Sequence, residues 1–276
     1  MSQVSILISS FDGYSDCWLP VCHGITKYWP DRPYPVHLMT NLKDFAHPGI
    51  QVLKVGPDRG WSQRMLTALD RLQTPYVMYF QEDYWIMAPV DTARVQEYVG
   101  LMERKGLHYI RLLAKPQPDR DFPDDPRLGI IDAAKGTYRT SVQISLWRRE
   151  VLRDLLSPEE NVWQFELNAT ERSRRYGDTF LSIKKHEGDD FHWGIRYLCT
   201  AVNAGRWFRA AKVYAQQEGL EVDFSRLPME SWWDDFKRSG RLGAAAGLLA
   251  HRVGLALRDP ARALGRVGRR LARGSK

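Results

Sequence analysis

Glu82 and Asp83 are adjacent carboxylates that directly follow residues 76–80, a short and mostly apolar run reading Y-V-M-Y-F. A run of that length and composition suits a strand buried on both faces. An ionised carboxylate is costly to bury unless it is paired or holds a metal. The two acids therefore belong at the open carboxyl end of the strand, the edge at which open α/β sheets bind ligands. A pair of hard oxygen donors there suits Mg²⁺ or Mn²⁺, which in turn would hold a phosphate. An acidic turn leading into the next helix accounts for the same two residues.

Other marked chemistry is absent. The chain has no nucleophile elbow, P-loop, H-E-x-x-H or G-x-G-x-x-G, which removes the marked forms of hydrolase, kinase and dehydrogenase. Cys17, Cys22 and Cys199 have no metal-ligand spacing and cannot all pair with one another. That usage fits a reducing cytosol rather than a disulfide framework.

The elements that must position the acids follow from periodicity. Residues 4–9 read as a first buried strand rich in β-branched side chains, followed by a polar turn at 10–13. Residues 14–29 read as a helix, 36–40 and 50–55 as strands, and 62–72 as a helix with Met65, Leu66, Leu69 and Leu72 on one face. Then comes the strand before Glu82. That succession is the beat of a mostly parallel sheet covered by helices. Beyond it, 91–104 reads as helix and 108–113 as strand. Residues 115–129, with four prolines and four aspartates, read as an irregular loop of the kind that serves as a lid. Residues 138–147 read as an alternating strand with Gln143, Ser145 and Trp147 on one side, and 148–156 and 161–175 as helices. Residues 179–185 and 195–201 suit strands and 205–217 a helix.

Charge divides the chain unevenly. The net charge is +7, yet residues 237–276 carry eleven Lys and Arg against one acid, Asp259. The remainder is mildly acidic. Within this tail Leu264, Val267 and Leu271 recur at helical steps among Arg262, Arg266, Arg269, Arg270 and Arg273. A basic amphipathic helix of this kind lies on an anionic membrane surface or in a partner's groove. A solvated, frayed tail is the plainer reading. No nucleic-acid-binding pattern accompanies the charge, so nucleic acid is not an expected partner. The chain start has no signal-peptide pattern, and no run of about 18 apolar residues is present to span a membrane. The expected organisation is a catalytic domain over 1–227 and a basic helical tail over 228–276.

Several stretches together resemble a family. V-S-I-L-I-S-S-F-D-G-Y, K-Y-W-P-D-R-P-Y-P, G-W-S-Q-R-M-L-T-A-L, Q-E-D-Y, Q-I-S-L-W-R-R-E, N-V-W-Q-F-E and A-G-R-W occur in the order found in bacterial GT-A-type, family 2-like glycosyltransferases of lipopolysaccharide and surface-polysaccharide assembly. The resemblance covers roughly residues 3–216 and rests on the order of modest motifs. It implies a GT-A-like, Rossmann-like α/β fold and transfer of a sugar from a nucleotide-sugar donor to a lipid-linked or surface-polysaccharide saccharide. It also implies a cytoplasmic enzyme held peripherally on the inner face of the membrane.

The resemblance assigns residues too. Asp83, with Glu82 second, stands where the family has its D-x-D-like element. The departure to E-D leaves a divalent cation (Mn²⁺ or Mg²⁺) less firmly specified, with Asp83 as its ligand or as a ribose contact. Ser9, Ser10 and Asp12 would touch the nucleobase and ribose, and Trp61 and Arg64 would face the nucleotide. Helix-start packing and a surface charge explain Trp61 and Arg64 equally well. Inverting transfer needs a base at the acceptor hydroxyl. Glu166 is the candidate, near a helix start that favours its charged form, with Trp163 as a sugar-stacking platform and Gln143 lining the acceptor side. An ordinary helix-surface carboxylate is the alternative for Glu166. His186 and His192, near Asp189 and Asp190, would offer further metal ligands. The competing functional class is a non-catalytic scaffold of the same fold that works through its basic tail.

Overall fold

The computed structural model describes residues 3–185 and 195–231. His186, His192, Asp189, Asp190 and residues 232–276 of the expected tail lie outside the described residues. The chain divides into two compact units, 1–199 and 200–276.

The first unit is built on strands β1 (Val4–Ser9), β2 (Val36–Thr40), β3 (Ile50–Lys54), β4 (Tyr76–Gln81), β5 (Trp85–Ile86), β6 (Tyr109–Arg111), β7 (Arg120–Asp121), β8 (Leu128–Ile130), β9 (Ser145–Arg148), β10 (Phe180–Ile183) and β11 (Tyr197–Leu198). Its helices are α1 (Trp18–Tyr28), α2 (Trp61–Arg71), α3 (Thr92–Lys105), α4 (Arg149–Leu155) and α5 (Val162–Ser173). Nine strands form one sheet in the order β3-β2-β1-β4-β9-β6-β10-β8-β7. Only β9 and β8 run against the rest, so the expected mostly parallel sheet is present. Every residue of β1 is buried, and so are the first five of β4. Two strands apolar on both faces belong at the centre of a covered sheet, and they pair in parallel with Ser9 opposite Gln81. That register brings the turn after β1 and the turn after β4 to one edge.

Three expectations are corrected. Residues 138–147 are not one strand, because only Ser145–Arg148 pairs, antiparallel between β4 and β6. Tyr138 takes a left-handed φ of 45°. The amides of Thr140 and Val142 go to Thr170 Oγ1 (3.2 Å) and Glu166 Oε1 (2.9 Å) on α5 instead of to a neighbouring strand. Residues 115–129 are not irregular throughout, since β7 and β8 add a hairpin to the far edge of the sheet. Leu128 and Ile130 bury there, and Gly129 permits the close approach, because a Cβ would sit 2.8 Å from the Arg120 carbonyl oxygen. Of 195–201, only Tyr197–Leu198 is strand, paired with β5.

Two arginines with no exposed surface replace apolar packing in the mixed half of the sheet. Arg139 donates Nε to Ser173 Oγ (3.0 Å), donates to the carbonyls of Ile131 and Gly177, and lies 4.4 Å from the Phe180 ring centroid. Burial pulls its guanidinium down to about 10. Neutral carbonyls satisfy its donors, and so a buried cation is tolerated without a carboxylate.

In the second unit, β12 (Val202–Asn203) and β13 (Arg206–Trp207) form a hairpin. Its turn residues Ala204 and Gly205 both have positive φ, 47° and 71°, as a type I′ turn requires. Helix α6 (Arg209–Glu218) follows, its first amide capped by Glu230 Oε1 at 2.9 Å. Trp207 is buried edge-on to Phe224, with centroids 5.0 Å apart, so it is a packing residue of this unit. Among the described residues no helix is long and apolar enough to cross a membrane.

Candidate functional site

Glu82 and Asp83 occupy the middle of a β-turn closed by Tyr84 N–H to the Gln81 carbonyl (3.1 Å), at the carboxyl end of β4. The turn is held from behind. Trp85 donates its indole N–H to the Glu82 carbonyl (3.0 Å), and β5 then pairs with β11. Both acids keep only 8% of their surface exposed. Burial pushes the Glu82 carboxyl well above the usual glutamate range, Asp83's charge adds to the effect, and the Arg64 guanidinium offsets part of it. The same two acids help raise the Tyr14 phenol and the Cys17 thiol, after burial itself, so the 3₁₀ segment Asp12–Cys17 lies within their field.

A like-charged buried pair of this kind is relieved by a cation, and its oxygens are the donors that Mg²⁺ or Mn²⁺ prefers. Among the described residues no group of three or more His, Cys, Asp or Glu assembles into a full ligand set. The pair fits an ion that completes its shell with phosphate and water, as Mg²⁺ commonly does.

The raised Glu82 has a consequence for stability. The unfolded chain releases this proton near the ordinary value of 4.5, the folded chain at higher pH. Stability from the protonated site is present in full below the unfolded value and is lost as pH rises through the folded one. Without metal or nucleotide, Glu82→Gln is therefore expected to melt like the parent near pH 4.5 and increasingly above it toward pH 8. The gain is about 2–4 °C for each ~1 kcal/mol recovered. Melting curves across that range settle the matter, and a difference flat with pH would show no penalty for ionising Glu82.

The other sequence candidates fall into two groups around this turn. Ser9, Ser10, Asp12, Trp61 and Arg64 gather at the ends of β1 and β2, and each makes a bracing contact. Ser9 Oγ accepts from Trp61 Nε1 (3.2 Å), and Ser10 Oγ accepts from Trp18 Nε1 (2.7 Å). The Asp12 carboxylate accepts from the amides of Asn41 (2.9 Å), Leu42 (3.0 Å) and Lys43 (3.1 Å), which lowers its pKa against the effect of burial. Asn41 Oδ1 accepts from Asp12 N–H in return (3.1 Å). Asp12 thus locks the turn after β1 to the one after β2. Arg64, in the first turn of α2, pairs with Asp58 and sits 5.0 Å from the centroid of the Phe11 ring. Its buried Nε has no hydrogen-bond partner among the described residues. A cleft of about 200 Å³ lined by Val55, Pro57, Arg59, Gln63, Arg64 and Thr67 opens beside it.

Glu166, Trp163 and Gln143 lie on the other side. Helix α5 starts at a capping box, with Asn161 and Gln164 exchanging side-chain and backbone hydrogen bonds of 2.9 Å. Glu166 Oε1 accepts from Ser141 Oγ (3.0 Å) and Val142 N–H (2.9 Å), so both hydrogen bonds fall on one oxygen. Trp163 is 63% exposed and Leu167 56%, neighbours four residues apart on one helix face, and Glu166 lies three residues beyond Trp163. Phe165 packs on Trp61 with centroids 5.1 Å apart, joining α5 to the β1 end. Gln143 Oε1 accepts from Tyr197 Oη (3.0 Å) and Cys199 Sγ (3.2 Å), and its amide NH₂ has no partner among the described residues.

The sequence candidates left out Tyr14, Tyr197 and Cys199, which the fold brings to this edge. Phe11 and Tyr14, 4.8 Å apart edge-on, sit inside the quoted S-S-F-D-G-Y turn and were within reach of it. Tyr197 and Cys199 arrive through β11 pairing, which no local pattern announces.

No protein-family model matches the chain, and no curated protein matches it in sequence. Solved structures do. A mannosyltransferase from Pyrobaculum calidifontis, solved with GDP-Man and Mn²⁺, superposes with a TM-score of 0.50 at 13% identity, covering 95% of this chain and 82% of that one. S. aureus TarS 1-349 with UDP gives 0.48 at 10%, covering 67% and 59%. A cytidylyltransferase from Leptospira borgpetersenii gives 0.46 at 12%, covering 95% and 96%. The chain spans about 60% of the TarS fragment's length. The similarity to the mannosyltransferase supports the GT-A-like fold.

Proposed function

We propose that the chain is a glycosyltransferase that takes a sugar from a nucleotide-sugar donor and passes it to a saccharide acceptor with inversion. The observation that carries this reading is the β-turn of two buried, adjacent acids at the carboxyl edge of β4, with Arg64 in their field. Its place at the carboxyl edge of a GT-A-like sheet, the edge at which open α/β sheets bind ligands, supports a nucleotide-facing role for the acids. The mannosyltransferase of similar fold was solved with GDP-Man and Mn²⁺.

The roles divide by location. Glu82 and Asp83 would hold a divalent cation, which when bound neutralises charge on the leaving diphosphate. Arg64, with a spare buried N–H, would add a fixed positive charge from the β1 side. Ser9, Ser10 and Asp12 hold the turns in shape, while the cleft beside Arg64 and the rings of Phe11 and Tyr14 would receive the nucleoside. Glu166, fixed through Oε1, would use Oε2 to take the proton of the acceptor hydroxyl. The exposed Trp163 ring would carry the acceptor sugar, and the Gln143 amide would donate to it. The basic stretch 237–276 would hold the enzyme on the anionic inner face of the cytoplasmic membrane, near a lipid-linked or surface-polysaccharide acceptor such as lipopolysaccharide.

Ligand-induced melting shifts against UDP, GDP, CMP, ADP and dTDP, each with Mn²⁺ and with EDTA, test the donor site. One nucleotide is expected to stabilise the protein by about 2.7 kcal/mol at a hundredfold excess over its Kd, and only with the ion present. A shift that survives EDTA would remove the metal and keep the enzyme. No shift with any nucleotide would remove the donor site.

A further inference from the structure

Lys115 opens the segment that leaves β6, and one buried side chain fixes the backbone on both sides of it. Arg111 has no exposed surface and donates Nε to the Leu113 carbonyl (3.1 Å) and Nη2 to the Pro116 carbonyl (2.6 Å). The same guanidinium is tied to the sheet through Ser182 Oγ (3.2 Å) and to the Tyr138 carbonyl through Nη1 (2.9 Å). No carboxylate shares these hydrogen bonds. Arg111 is thus a clamp on residues 113–116, and Lys115 is the exposed residue inside it.

Strand β6 runs parallel to β4, so the segment carrying Lys115 leaves the sheet at the same edge as the acid turn. Leu112 N–H donates to the Ile144 carbonyl (2.9 Å), extending the β6–β9 ladder toward Gln143. Gln143 holds the Cys199 thiol. Cys199 follows Leu198, which pairs with Trp85, two residues beyond Asp83. The thiol registers both charges, Asp83 raising its pKa and Lys115 lowering it. Yet Lys115 forms no ion pair among the described residues, with Asp83 or with any other acid. A lysine on a backbone that cannot drift, with no ion pair among the described residues, leaves its ammonium for an anion that arrives with the ligand.

We propose that Lys115 binds the diphosphate of the donor from the β6 side, facing Arg64 across the Glu82–Asp83 turn, and that Arg111 is its positioning residue. This rests on the nucleotide-sugar reading above. The two cations flank the strands β4 and β9 at one sheet edge, so a diphosphate over the turn meets positive charge from both sides. Lysine serves phosphate as a mobile point charge, and fixing its backbone is what gives it an address.

Calorimetric titration of the full chain tests this with Mg²⁺ present and three probes: the nucleoside diphosphate that shifts melting, the matching nucleoside, and inorganic pyrophosphate. Lys115→Ala is expected to weaken the diphosphate and pyrophosphate on the order of ten-fold or more, the size of one hydrogen bond to a charged group. The nucleoside should bind unchanged, and Lys115→Arg should keep most of the affinity. Since Lys115 is exposed, the variant should fold, which its melting curve checks. Undiminished diphosphate affinity in Lys115→Ala overturns the proposal, as does a parent protein that binds neither diphosphate nor pyrophosphate. If pyrophosphate alone binds, and does so through Lys115, the phosphate site stands and the nucleotide reading falls.

Discussion

Asp83→Asn is expected to lower kcat for sugar transfer by about 10²–10³-fold while leaving the protein folded, the loss typical of removing one preorganised charge-stabilising group. The structural reason is that the substitution preserves shape and removes charge. The turn is closed by backbone and by the Trp85 indole, none of which needs the Asp83 carboxylate. Stability without ligand should hold or rise, because the charge that helps push Glu82 upward is gone. The stabilisation produced by Mn²⁺ with nucleotide should vanish. Turnover, melting and titration together separate a catalytic loss from an unfolded protein. An Asp83→Asn variant that transfers sugar at the parent rate would sink the assignment of this turn as the reacting edge.

That edge was legible in the sequence because its causes are local. Residues 4–9 and 76–80 are apolar without alternation, and a strand of that kind has nowhere to go but the middle of a covered sheet. The acids follow at the strand's end, where burial of charge demands an opening. What the sequence hid are long-range exchanges. Nothing near Asp12 reveals that its carboxylate is taken by three amides about thirty residues away. The alternation over 138–147 is real, yet the amides of Thr140 and Val142 find side chains of α5, and the strand shortens to Ser145–Arg148. Lys115 was submerged in a Pro- and Asp-rich segment because its meaning depends on Arg111. A buried arginine is itself invisible to a pattern in which charge signals the surface.

The same exchanges explain how the edge keeps its shape without a large apolar contact over it. Trp18 and Trp61 place indole N–H groups on Ser10 and Ser9, so both serine hydroxyls at the end of β1 are oriented by aromatic anchors from two helices. Phe165 then rests on Trp61, and α5 inherits its position from the β1 end. The two halves of the candidate site therefore share one framework, and a displaced Trp61 would disturb both.

Glu166→Gln is expected to separate the bracing role of Glu166 from its role as a base. The amide keeps an oxygen that accepts from Ser141 Oγ and Val142 N–H, so the link between α5 and the segment before β9 survives. The basic oxygen is lost. Turnover should fall by about 10²–10⁴-fold, the range for removing a positioned general base. Donor affinity should stay at the parent value, because Glu166 lies across the framework from the acid turn. Glu166→Ala should differ in kind, losing the brace as well and lowering the melting temperature. If Glu166→Gln transfers sugar like the parent while Glu166→Ala unfolds early, Glu166 is a structural tie alone. The base must then be sought among the groups that face the exposed Trp163 ring.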